Sequence, residues 1–213
     1  VISAVQAALP DEGMTVTKQR SGIGQFSVFV TAENAFEVNV GDDIYFGVAF
    51  RSSLDGSSPT KATLSFFRPT CSNGIYINEM TWSLPRRALK TAEAANLAIG
   101  EGAAEIFSMR EAYNGNTHEL AKANVKDPEE TLMTLLKPLG LSPALSDYIL
   151  DAFAQEPEST LWGLMNALTR AANEVPTLTL AEQLWTSAGI LVEQGAAVCK
   201  SCGHVLLNGE HSH

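Results

Sequence analysis

IYFGVAF, residues 44–50, decides the fold. Ile44, Phe46, Val48 and Phe50 recur at every second position. Successive strand side chains point to opposite faces, so those four share one face. β-Branched and aromatic residues suit such a pleated surface. Working outward, the same period recurs in Phe26, Val28 and Val30, in Phe36, Val38 and Val40, and in Leu64 with Phe66. Turn-forming residues separate these runs: Glu33-Asn34, Gly41-Asp42-Asp43 and the stretch Ser52 to Pro59. Short connections predict an antiparallel meander in which sequence neighbours pair in space.

The last hairpin is predicted around Asn73-Gly74, the dipeptide that tolerates positive φ at both centres of a type I′ turn. It lies between Leu64–Phe67 and Ile75–Ile77, and Arg68-Pro69 interrupts the ladder just before it. Cys71 then reads as a small packing residue, with no histidine near in sequence to activate it. Lys18-Gln-Arg20 is expected on a glycine-flanked loop.

From Ser83 the period becomes helical. Ser83 is the expected cap, Pro85 fits a first turn, and apolar positions from Leu89 to Phe107 predict one long helix ending at Asn114-Gly115. Its alanines would let it lie close against a sheet. Further helices are expected from Asp127 to Pro138, from Ser142-Pro143 to Ala154, from Ser159 to Glu174, and from Leu180 to Gln194. The class is α+β: an N-terminal meander, a long helix, a helical bundle and a short tail. The expected divisions are 1–125, 126–195 and 196–213.

Charge is uneven. The net charge is −10 over 213 residues. Residues 1–100 hold eight Lys/Arg against nine Asp/Glu, and residues 101–213 hold six against fifteen. An acidic whole argues against a polyanion-coating protein, yet leaves room for a local basic stripe in the front half. No apolar run reaches the 18 residues a membrane helix needs, and residues 1–10 lack the basic leader of a signal peptide. Three cysteines do not make a secreted disulfide framework, so a reducing cytoplasm is expected.

Phosphate loops, dinucleotide fingerprints, nucleophile elbows and His-Glu-x-x-His helices are all missing, and no catalytic residue is assigned. The acids at Glu129-Glu130, Glu156 and Glu158 fit helix starts, and Asp42-Asp43 fits a turn. Arg68, Arg86, Arg87 and Lys90 are candidates for phosphate binding, with Tyr76 or Trp82 as stacking platforms. Arg86 and Arg87 fall where a helix dipole disfavours cations, which hints at another use. In the tail, Cys199-Lys-Ser-Cys202-Gly203 places two thiolates for one ion, and His204 and His211 could complete structural zinc. A redox Cys-x-x-Cys expects a strand before it and a helix after it; an unliganded tail is the plain alternative.

The string Phe66-Phe-Arg-Pro-Thr-Cys-Ser-Asn-Gly-Ile75 resembles the central signature of the phage/plasmid-like proteins, a family catalogued as a domain of unknown function. Gly41-Asp-Asp-Ile-Tyr-Phe-Gly-Val-Ala-Phe-Arg-Ser-Ser-Leu-Asp-Gly56 is similar to that family's strand–loop–strand entry. Thr160-Leu-Trp-Gly-Leu-Met-Asn-Ala-Leu-Thr-Arg170 is similar to its late helix. The resemblance implies a phage or plasmid setting in a bacterial cytoplasm. By fold-level analogy, a meander followed by a helix matches single-strand annealing recombinases, which implies an oligomer holding single-stranded DNA. The alternative is a protein-binding accessory factor, a host-defence inhibitor or virion component, that uses the acidic helical half.

Overall fold

The computed structural model describes residues 2–11, 13–22, 25–39, 41–53, 59–68, 73–83, 91–108, 110–193, 197–198, 205–207 and 210–211. Five strands, β1 (Met14–Gly22), β2 (Gln25–Asn39), β3 (Asp42–Ser53), β4 (Lys61–Arg68) and β5 (Asn73–Ser83), form an antiparallel sheet in the order β1-β2-β3-β4-β5. The expected meander and the α+β class are therefore present. Helix α1 (Ile2–Ala8) precedes the sheet; α2 (Ala92–Phe107), α3 (Arg110–Lys122), α4 (Pro128–Leu135), α5 (Ser146–Gln155), α6 (Leu161–Glu174) and α7 (Leu178–Glu193) follow it. A small sheet of β6 (Ala197–Val198), β7 (Val205–Leu207) and β8 (Glu210–His211) lies beyond α7.

Both faces of the main sheet are covered, which alternation alone does not reveal. In β3 every residue from Phe46 to Phe50 is buried, and in β4 every residue from Ala62 to Arg68. Register assigns the faces. Phe46 pairs with Phe66 and Val48 with Leu64, so these share the first face. On it Phe107 of α2 meets Phe46 edge-on at 4.8 Å. Phe29 and Phe67 lie on the second face, where Trp185 of α7 meets Phe29 edge-on at 5.5 Å. Such T-shaped ring pairs add to the plain gain from burying aromatic area. The buried apolar cluster includes sheet residues such as Leu64 together with helical ones such as Leu132, Trp162 and Leu191, so the core crosses the division expected at 125/126.

Several boundaries differ from expectation, each for a physical reason. The run at 26–30 and residues 36–39 of the next belong to one strand, with no turn at Glu33-Asn34. Thr31 pairs with Gly47 but Ala35 with Tyr45, so four steps of β2 oppose two of β3. This bulge absorbs the polar pair while leaving the flanking alternation in phase. Glu33 then donates its N–H to Gly13 O at 2.7 Å, which anchors the kink to the start of β1. Asn73 and Gly74 pair with Arg68 and Phe67 as the first residues of β5, so Asn73-Gly74 is not the centre of the connection between β4 and β5. Residues 69–72, with Cys71, lie outside the described residues. Lys18, Gln19 and Arg20 belong to β1, where they pair with Phe29, Val28 and Ser27, and not to a loop.

The expected long helix is two helices. Ser83 ends β5, and Thr91 is the cap of α2, accepting a hydrogen bond from Ala94 N at 3.1 Å. A break at Ser108 separates α2 from α3, and α3 runs through Asn114-Gly115 to Lys122. Burial of Tyr113, Thr117 and Leu120 outweighs the roughly 1 kcal/mol that a mid-helix glycine costs. Asn116 Nδ2 also donates to Val192 O of α7 at 2.9 Å. The later helices match expectation closely. Asp127 caps α4 through Glu130 N, Ser142 caps a 3₁₀ turn before α5, and Thr160 caps α6 through Gly163 N.

Candidate functional site

A charged network joins one end of the sheet to the helical half. Arg68 ends β4 among buried apolar residues and is itself 6% exposed. A guanidinium cannot discharge, so burial demands carboxylates. Its Nε donates to Asp42 Oδ1 at the start of β3. Its two terminal nitrogens donate to Glu156, at 3.1 Å to Oε2 and 2.7 Å to Oε1, in a two-point pairing. Arg170 of α6 donates to the same Glu156 carboxylate and to Gln155 Oε1 at 3.3 Å. Trp162, fully buried on α6, donates its indole N–H to the other Asp42 oxygen at 2.8 Å.

Two guanidinium groups and two carboxylates thus neutralise one another. Every oxygen of Asp42 and Glu156 accepts at least one of these bonds. The arrangement acts as a clamp between the layers. Trp162, Asn166 and Arg170 recur at four-residue steps, so they form one stripe of α6. Asn166 is buried there, and neither carboxamide atom has a hydrogen-bond partner among the described residues.

At the other end of the sheet, Arg51 of β3 donates to Thr63 Oγ1 at 3.0 Å and lies 3.9 Å from Glu182 of α7. Burial pushes the Glu182 carboxyl above its usual range, against the opposing pull of Arg51 and Lys61.

Of the expected nucleic-acid residues, only Arg68 has a described side chain. Arg68 is corrected: it is walled in by Asp42 and Glu156 rather than turned toward a phosphate track. Tyr76 lies in β5 opposite Ser65, and its side chain is outside the described residues. Arg86, Arg87 and Lys90 also lie outside them, within the connection 84–90 that leads from β5 to α2. Of the expected metal ligands, Cys199, Cys202 and His204 fall in the undescribed connection between β6 and β7. His211 lies in β8 opposite Leu206, with its side chain undescribed. Among the described residues no three His, Cys, Asp or Glu side chains are grouped to hold a metal.

The clamp was not foreseen, since Asp42 read as a turn residue and Glu156 as a helix-start acid. One signal did exist. The three stretches that carry the family resemblance contribute Asp42, Arg68, Trp162 and Arg170, residues up to 128 positions apart that meet at one place. No protein-family model matches the chain, and no curated protein or solved structure matches it either.

Proposed function

We propose that this is a phage or plasmid DNA-metabolism protein that binds single-stranded DNA as a homo-oligomer, without catalytic chemistry, in a bacterial cytoplasm. The observation that carries this reading is the sequence of the connection between edge strand β5 and helix α2. Leu84-Pro-Arg-Arg-Ala-Leu-Lys90 holds three cations and no acid. Among the described residues no helix is long and apolar enough to cross a membrane.

Structural zinc belongs to the same proposal. The strands pair so that Cys199 to His204 form the connection of the β6–β7 hairpin, and β8 runs back along β7 toward that connection. Cys199, Cys202, His204 and His211 would hold the ion and fix the tail.

Titrating the full chain with a labelled single-stranded oligonucleotide at low and high salt tests the reading. Affinity that falls steeply with salt, and falls further in the Arg86→Glu, Arg87→Glu double variant, is expected. Absent or salt-independent binding rejects it. Elemental analysis of the same sample should find zinc that disappears on Cys199→Ser.

A second reading rests on the surface charge. Among the described residues fifteen Asp/Glu side chains are exposed against three lysines, Lys122, Lys126 and Lys137. That imbalance favours an accessory factor whose helical half meets a cationic protein. Binding to oligonucleotide would decide between the two.

A further inference from the structure

Helices α1 and α2 cross closely because the residues between them are small. A Cβ added at Gly100 would lie 3.1 Å from both Ala4 O and Ala8 Cβ. Beside this crossing the two helices leave an apolar groove of about 510 Å³, floored by Ala4, Ala7 and Ala104. Leu97 stands on its wall and is 64% exposed, although a leucine gains free energy by leaving water. On α2 the positions 93, 97, 101 and 105 form one ridge at four-residue steps, occupied by Glu, Leu, Glu and Glu. All three acids are exposed, and neither α1 nor α2 contains a lysine or arginine.

We infer that this groove is a docking site for a cationic amphipathic helix of a partner protein. Its apolar stripe would lie against the alanine floor and Leu97, and its lysines or arginines would face Glu93, Glu101 and Glu105. Helix-in-groove recognition works by this division between apolar anchors and flanking charge. The same α1–α2 face of a second copy offers the wrong sign, since its own ridge would bring carboxylates against carboxylates. The inference is independent of the DNA reading, which uses the 84–90 connection.

The test uses a labelled synthetic peptide that repeats leucine and alanine on one face and lysine on the flanks. Fluorescence anisotropy with the full chain should show saturable binding that weakens with salt. Leu97→Ser and the Glu93→Lys, Glu101→Lys double variant should each weaken it by about tenfold, through lost burial and reversed charge. All three positions are exposed, so these variants should stay folded, with only a small fall in melting temperature where Glu93→Lys puts a cation in the first turn of α2. The matched control is Glu129→Lys with Glu130→Lys on α4, which reverses two exposed charges elsewhere and should leave binding unchanged. Equal loss in that control would overturn the inference, as would equal binding of a glutamate-flanked peptide or no binding at all. A dimer in solution that Leu97→Ser dissociates would assign the groove to a second copy and overturn it as well.

Discussion

Arg68 illustrates how one residue can be charged and yet removed from any surface role. Its guanidinium is held on one side by Asp42 and on the other by Glu156, and Trp162 caps the free Asp42 oxygen. Removing one member of a buried pair leaves the others uncompensated, which costs about 3–5 kcal/mol. Arg68→Met should therefore lower stability by that order in urea unfolding, whereas oligonucleotide affinity per folded molecule should hold. Glu182 predicts a pH effect of known sign. Its carboxyl titrates above the ordinary range in the folded chain because burial penalises the anion. Protonation therefore favours folding: this contribution is complete below the ordinary carboxyl range and is lost as pH rises through the raised value. Glu182→Gln should stabilise at neutral pH, and the gain should shrink toward zero as both proteins are unfolded at progressively lower pH.

Among the elements, β2 carries the most information about register. Its bulge between Thr31 and Ala35 brings backbone against Gly47 of β3, where an added Cβ would lie 2.3 Å from Val30 O. That neighbour is main chain and cannot rotate away. Gly47→Ala should thus cost about 1–3 kcal/mol, the range for overpacking a tight site, measurable as a lowered denaturation midpoint. A neutral result would mean that the bulge is softer than its hydrogen bond from Glu33 to Gly13 implies. Helix starts after residue 126 were the most legible elements. Asp127, Ser142 and Thr160 each accept a backbone N–H at the start of a helical segment, as their residue types foretell. The break at Ser108 was not legible, because good helix formers stand on both sides of it, Ala103-Ala104-Glu105 before and Arg110-Glu111-Ala112 after, and only packing decides where the helix ends.

Over the whole molecule the sheet and the helical half share one core, through Trp185 on Phe29 and through the Asp42 clamp. Unfolding followed by tryptophan fluorescence and by far-ultraviolet circular dichroism should accordingly trace one coincident transition. Separate midpoints would show that residues 126–195 melt independently.

The sequence by itself determined the local choices: period two before Ser83, period near 3.6 after it, the caps Asp127 and Ser142, and the acidic excess behind residue 100. Each depends on residues within a few positions of one another, so a linear reading reaches it. Only the tertiary structure decided that both sheet faces are covered, that Glu33-Asn34 is a bulge and not a turn, and that Arg68 faces inward. Those outcomes rest on contacts such as Arg68 with Glu156, 88 positions apart. No local preference records such pairings; they follow from which distant carboxylate is brought close when the layers close over a common core.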